Sequence, residues 1–262
     1  MGDGIDLNCD MGEGYGAYRM APDRELLEHV TSASVACGFH AGDPRTMDAT
    51  VQAAVAAGVA VGAHVSYPDL VGFGRRHIQV SGEELTTDVL FQIGALEAFC
   101  RRHGTSVAYV KAHGALYNDL AEDESLADAL AAALLAYGGD LPALVLAGSP
   151  AVAVLQGRGV PVAREGFADR AYTPDGRLAP RRAGGAVITD PVEVTDRALR
   201  LAAGESVTAS DGTDVEIGAD SICIHGDTPG SVGLARRVRQ ALLGRGVEVR
   251  PFAPLRRSRP PD

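Results

Sequence analysis

The 262-residue chain is poor in cysteine, and the four it has, Cys9, Cys37, Cys100 and Cys223, are far apart with no CxxC pair. That spacing excludes a disulfide-stapled scaffold and a cysteine-rich zinc module, and it fits a reduced chain with buried thiols. Positive charge is scarce too. The formal net charge of −10 repels phosphate backbones and anionic membrane surfaces, so neither nucleic acid nor a membrane is expected as a partner. The longest apolar stretch, around Val51 to Val65, is rich in alanine and glycine, is broken by polar residues, and is too short to cross a bilayer. The opening Met1-Gly-Asp-Gly lacks the basic and apolar regions of a signal peptide, and a cytoplasmic location is expected. Three motifs are also missing: a GxxxxGKS or GxxxxGKT loop for ATP, a GxSxG nucleophile elbow, and a strand leading into GxGxxG.

What is present is an ordinary globular composition, 46% hydrophobic and 22% charged, with ample material for a core. Short runs rich in Val, Ile or Ala read as parallel strands buried on both faces: Ile5–Cys9, Ser34–Cys37, Val59–Ala63, Val107–Lys111, Ala143–Leu146, Val160–Ala163 and Ser221–Ile224. Helices lie between them. Asp43-Pro44 opens one as N-cap and first helical residue, and Ser81-Gly-Glu-Glu84 is a capping box leading into Leu85–Arg102. Glu122–Tyr137 has helical spacing, while Ser149-Pro150, Thr189-Asp-Pro191 and Thr228-Pro229 start three more helices. A hairpin at Ser206–Ala209, Asp211-Gly212 and Asp214–Ile217 interrupts the alternation.

This order predicts one α/β domain over residues 1–254, followed by a flexible tail at 255–262. A doubly wound open sheet would alternate in the same way. Reactive residues follow nearly every strand, however, and a closed barrel gathers all strand ends into one ring, so a parallel (β/α) barrel is expected.

In the first strand Asp6, Asn8 and Asp10 share one face, and polar groups aimed into a barrel bore must bind each other, water, a metal or a substrate. Glu13 follows among glycines. His40 and His64 each end a strand, and Asp69 lies just beyond His64. The loop Val71-Gly-Phe-Gly-Arg75-Arg76 is hinged by glycine and suited to closing over an anion, although a merely solvated basic loop would read the same. Lys111 is the only lysine in the chain, and all other basic side chains of the Lys/Arg type are arginine. A lone lysine at a strand end implies work a guanidinium cannot do, either proton transfer after a lowered pKa or a compact point charge on a small anion. His113 faces the same way as Lys111. Glu165 and Arg170 follow the sixth strand, and His225 and Asp227 follow the seventh. Such acid–base groups converging at one barrel end suit water attack on an amide carbonyl. Asp10, His40 and His64 could also form a two-histidine, one-carboxylate metal site, a point the spacing leaves open.

At these same residues the chain resembles the LamB/YcsF family. The matching segments are Asp6-Leu-Asn-Cys-Asp-Met-Gly-Glu-Gly, Ser34-Val-Ala-Cys-Gly-Phe-His-Ala-Gly-Asp, Gly62-Ala-His, Ser66-Tyr-Pro-Asp and Phe73-Gly-Arg. Lys111, His113-Gly-Ala-Leu-Tyr-Asn, Glu165-Gly-Phe-Ala-Asp-Arg-Ala-Tyr and Ile224-His-Gly-Asp complete the set. Val65 and Ala112 stand where the family pattern usually has proline. The resemblance implies a distorted seven-stranded parallel (β/α) barrel related to the glycoside hydrolase/deacetylase barrels. It also implies ATP-driven opening of the lactam 5-oxo-L-proline to L-glutamate, in a complex with two other 5-oxoprolinase subunits, B and C. ATP would then be a co-substrate handled with those partners.

On that footing Asp10, Glu13, His40, His64, Lys111, His113 and Glu165 are the candidate catalytic residues. Asn8, Asp69, Arg75, Arg170, His225 and Asp227 are the candidates for holding substrate, with a cation from Lys111, Arg75 or Arg170 meeting its carboxylate. Two other readings share the fold: a stand-alone metal-dependent amidohydrolase or deacetylase, and a non-catalytic scaffold in the same complex.

Overall fold

The apolar runs do pair into a closed, all-parallel sheet. The computed structural model describes residues 4–18, 20–226 and 230–256. Its barrel strands are β1 (Asp6–Met11), β2 (Ser32–Ala36), β3 (Ala60–Val65), β4 (Tyr109–Ala112), β5 (Ala143–Leu146) and β6 (Val162–Phe167), closed by β9 (Ser221–Cys223) between β6 and β1. The antiparallel pair β7 (Val207–Thr208) and β8 (Asp214–Val215) is the expected hairpin, set in the long crossover from β6 to β9.

Helices return the chain from strand to strand, and their starts follow the caps. Before α2 (Pro44–Ala57), Asp43 Oδ1 accepts from the Arg45 and Thr46 amides at 2.9 and 3.2 Å, and Gly58 ends the helix at φ 69°. Ser81 and Glu84 form the reciprocal capping box of α3 (Gly82–Arg102). Asp123 caps α5 (Glu124–Tyr137), Pro150 opens α6 (Pro150–Gly157), and Asp190 caps α7 (Pro191–Ala203). The short helices α1 (Asp23–Leu26) and α4 (Gly114–Leu120) were not expected. The last helix, α8, spans Ser231–Gly244, and its expected start at Thr228-Pro229 lies outside the described residues. No helix among the described residues is long and apolar enough to cross a membrane. In the segment expected as a tail, Arg256 Nη1 donates to Asp140 Oδ2 at 3.0 Å, and residues 257–262 lie outside the described residues.

Strand alternation divides the barrel chemically. Outward residues such as Leu7, Cys9, Val35, Ala63 and Ile222 pack beneath the helices in the main core. The bore itself is polar. Register sets Asn8 beside Ser32 and Cys223, His64 beside Lys111, and Glu165 beside Ser221. Tyr109, Leu144, Ala163 and Ala253 plug the end near the strand starts, where the Tyr109 ring meets Phe252 edge-on at 4.9 Å. The neighbour across from Tyr109 is Gly62, because any Cβ there would enter the Tyr109 ring.

Above that plug lies Asp6, fully buried, accepting from the Thr31 hydroxyl at 2.6 Å, the Ser32 hydroxyl at 2.7 Å and the Ser221 hydroxyl. Burial outweighs these donors and pushes its carboxyl up to about 6. Between pH 3.8 and about 6 the folded chain therefore binds more protons than the unfolded one, and stability falls as pH rises through that window. We expect Asp6→Asn to gain on the wild type by on the order of 2–3 kcal/mol between about pH 4 and pH 7 in denaturant unfolding. A stability difference independent of pH would refute this.

Candidate active site

The carboxyl ends of the strands open onto a cavity of about 780 Å³, lined by Asp10, Glu13, His64, Lys111, His113 and His225 among others. That size suits a small molecule. Asp10, His64 and Lys111 arrive on inward faces of strands, and Glu13, His113 and His225 follow within two residues of a strand end.

Lys111 is the hub. Its Nζ donates to Asp10 Oδ1 at 2.8 Å and Asn8 Oδ1 at 3.1 Å, pairs with Glu165 Oε1 at 2.8 Å, and lies 3.4 Å from Cys223 Sγ. Asn8 Nδ2 in turn donates to Glu165 Oε1 at 2.9 Å and Ser221 Oγ at 2.8 Å. Burial alone would strip Lys111 of its proton, but the Asp10 and Glu165 carboxylates hold its ammonium well above the ordinary lysine range. Of the two jobs open to a lone lysine, the structure therefore favours the fixed point charge over proton transfer after a lowered pKa. Burial would likewise raise Asp10, yet His64 and Lys111 beside it hold the carboxyl well below the usual range.

A second cluster adjoins the first. Glu13 Oε1 lies 3.3 Å from His40 Nε2, 3.3 Å from His113 Nδ1 and 3.9 Å from His64 Nε2. His113 Nδ1 is 3.0 Å from His64 Nε2, and the His40 and His113 rings stack at 3.8 Å. His64 Nε2 also reaches Asp10 Oδ2 at 3.3 Å, joining the clusters. Burial, reinforced by neighbouring imidazoles, pushes His40 and His113 well below the ordinary histidine range, so both are neutral near pH 7. Glu13, His40, His64 and His113 could together hold a metal ion, as could the trio Asp10, Cys223 and His225.

Across the cavity the imidazole logic reverses. His225 Nδ1 pairs with Asp169 Oδ2 at 2.8 Å. Burial would lower His225, but Asp169 outweighs it and raises the ring above its ordinary value. One barrel mouth thus holds imidazoles pushed in opposite directions, the arrangement that separates acid and base roles.

Not every candidate faces the cavity. Asn8, His40 and Glu165 are buried behind its wall, touching Lys111 or Glu13. Asp69 does not line the cavity. Its carboxylate accepts from the Gly72 amide at 2.8 Å and from the Arg76 guanidinium, bracing the 66–76 loop. Arg170 borders the cavity, but its Nη2 and Nε donate to the Ala179 and Ala186 carbonyls at 2.7 and 3.2 Å. Arg75 lines the wall with its guanidinium carbon 5.0 Å above the Phe73 ring. Asp227 lies outside the described residues.

Three groups at the site escaped the sequence reading. Asp169 stands four residues after Glu165, and its pairing with His225 crosses 56 positions, which no local pattern signals. The buried Tyr117 hydroxyl lines the cavity and is pushed well up by burial and by Glu165 beside it. Phe73 presents its carbonyl to His113 Nε2 at 2.9 Å from a left-handed backbone at φ 55°, a strained state for a bulky residue.

A closed parallel barrel with ammonium, carboxylate and imidazole groups around one mouth defines a class of barrel proteins whose chemistry sits at the carboxyl ends of the strands. Residues 5–257 match the LamB/YcsF family, and the chain belongs to it. A protein of Kocuria rhizophila, named as the A subunit of 5-oxoprolinase, is 53% identical over 95% of this chain and 99% of its own length. A 5-oxoprolinase A subunit of Pseudomonas aeruginosa is 53% identical over 91% of this chain and 96% of its own. Among solved structures, the lactam utilization protein from Thermus thermophilus superposes with a TM-score of 0.90 at 47% identity, covering 95% of this chain and 100% of that one.

Proposed function

We propose that the chain is the A component of an ATP-dependent 5-oxoprolinase, opening the lactam of 5-oxo-L-proline to L-glutamate together with the B and C components. The observation that carries this is the near end-to-end likeness, at about half identity, to proteins named as 5-oxoprolinase A subunits. The word subunit in those names supports a multi-protein assembly, and the lactam in the Thermus protein's name supports the substrate class.

A five-membered lactam is a stable amide, which gives a physical reason to couple its opening to ATP. The chain has no P-loop sequence, which agrees with partner subunits contributing to ATP handling; ATP passes its phosphoryl group to the lactam oxygen and ADP leaves. Water oxygen then bonds to the former carbonyl carbon and the C–N bond breaks. The nitrogen takes a proton, leaving an acyl phosphate; a second water then adds to the same carbon, and phosphate leaves with the original carbonyl oxygen. Asp10, 3.3 Å from His64 Nε2 on the cavity wall, takes the proton from water. His225, whose imidazolium form Asp169 favours, gives one to the departing nitrogen. Lys111 fixes the orientation of Asp10, and Arg75 meets the substrate carboxylate.

The test is glutamate release from 5-oxoproline by the purified chain, with and without ATP and the partner proteins. Release requiring the chain, the partners and ATP together supports the proposal. Full activity of the partners without this chain, or ATP-independent amide hydrolysis by the chain alone, defeats it.

A further inference from the structure

We propose that Glu13, His40, His64 and His113 form a binding site for one divalent transition-metal ion of the zinc type. The inference is separate from the lactam reading, because ion binding is a property of this chain whichever amide it opens.

Hydrogen-bond accounting carries the argument. His113 Nε2 faces the Phe73 carbonyl at 2.9 Å and His64 Nδ1 faces the Lys111 carbonyl at 3.3 Å. A carbonyl oxygen only accepts, so each of those nitrogens carries the ring proton. In that tautomer the opposite nitrogens, His113 Nδ1 and His64 Nε2, present lone pairs that face each other at 3.0 Å, with Asp10 Oδ2 a further 3.3 Å from His64 Nε2. Glu13 Oε1 points between them, 3.3 Å from one and 3.9 Å from the other. Two imidazole nitrogens and a carboxylate oxygen aimed at a common point make a ready set of ligands for a cation there. Backbone carbonyls that fix the tautomer of facing imidazoles are the usual outer support of metal-binding histidines.

The spacing agrees. A tetrahedron of nitrogen and oxygen ligands about 2.0–2.1 Å from zinc has edges of roughly 3.3–3.4 Å. The observed edges include 3.0, 3.3, 3.3 and 3.9 Å, and all four ligand atoms lie within 4.8 Å of one another. Shifts of a few tenths of an ångström regularise most of them. Three nitrogens and one oxygen suit zinc, cobalt or nickel better than calcium or magnesium.

The surroundings keep the cluster in place. Gly74 sits at φ 63° with no room for a side chain, since a Cβ would come 2.8 Å from His113 Cδ2 and 2.9 Å from His40 Cβ. That tight turn, with Phe73 in its left-handed state, holds the Phe73 carbonyl against His113. Glu13, His64 and His113 line the cavity, which gives an ion a way in.

The experiment uses the full chain, stripped with a chelator and titrated with Co²⁺ or Zn²⁺. We expect one equivalent per chain, with micromolar or tighter affinity by calorimetry. The Co²⁺ form should show the strong visible absorption of a four- or five-coordinate, nitrogen-rich site. His113→Gln, His40→Ala and Glu13→Gln should each weaken binding at least 100-fold, with the metal-free far-UV spectrum unchanged. Absence of stoichiometric binding to the wild type overturns the proposal, leaving a proton shared between His64 and His113. So does a weak, six-coordinate, oxygen-rich Co²⁺ spectrum, a reading that needs no variant to fold. Undiminished binding in all three folded variants also overturns it.

Discussion

Lys111→Arg should lower glutamate release by the complete complex by on the order of 100-fold or more, although positive charge is conserved. One ammonium nitrogen meets Asp10 Oδ1 and Glu165 Oε1 at 2.8 Å each, with Asn8 Oδ1 at 3.1 Å and Cys223 Sγ at 3.4 Å. Those neighbours fill the space around a single point. A planar guanidinium would place its nitrogens over a wider span and displace Asp10, the carboxylate that faces the cavity. Overpacking of this kind costs about 1–3 kcal/mol of stability, so the protein should still fold. Lys111→Met makes the complementary control. It leaves two buried carboxylates uncompensated and should destabilise by about 3–5 kcal/mol. Steady-state rates for the arginine variant, with melting curves for both, separate the two effects. Near-normal turnover with arginine would remove Lys111 from the mechanism.

Legibility in the sequence followed distance along the chain. Features set by neighbours a few residues apart were readable: the strand runs, the Asp43 and Ser81 caps, and the shared face of Asp6, Asn8 and Asp10. Barrel closure could be argued, because reactive residues after nearly every strand need a ring to meet in. What the sequence could not display were pairings made by the closed sheet. Lys111 reaches Asp10 across 101 positions and Cys223 across 112. Those contacts decide that Lys111 stays charged, so either of its two possible jobs remained open until they were seen. Asp69 reads as a ligand for the same reason it is useful as a brace: a carboxylate in a glycine-rich loop can accept either from a substrate or from the loop's own amides. Here the Gly72 amide and Arg76 occupy it. Glu13 and His113 are individually unremarkable letters. Only the fold, which sets His113 Nδ1 3.0 Å from His64 Nε2 and 3.3 Å from Glu13 Oε1, shows that they converge.

Asp10→Asn should reduce turnover of the complete complex by about 10²- to 10⁴-fold, with the KM for 5-oxoproline within a few-fold of wild type. Among the described residues, Asp10 is the one carboxylate that touches both clusters, through Lys111 Nζ at 2.8 Å and His64 Nε2 at 3.3 Å, while lining the cavity. Asparagine keeps the shape and one acceptor for Lys111, but it cannot take a proton. The loss should therefore fall on kcat. The pH dependence of stability gives an independent check. Because the folded-state carboxyl is held well below its ordinary value of 3.8, Asp10 contributes stability that is fully present above about pH 4 and is lost as pH falls through the folded value. The asparagine variant should lack that part of the acid-unfolding slope and be less stable than the wild type near neutrality, the gap closing as pH falls through the folded value, while Glu165 still pairs with Lys111. If turnover stayed close to that of the wild type, Asp10 would only position Lys111 and would take no proton from water.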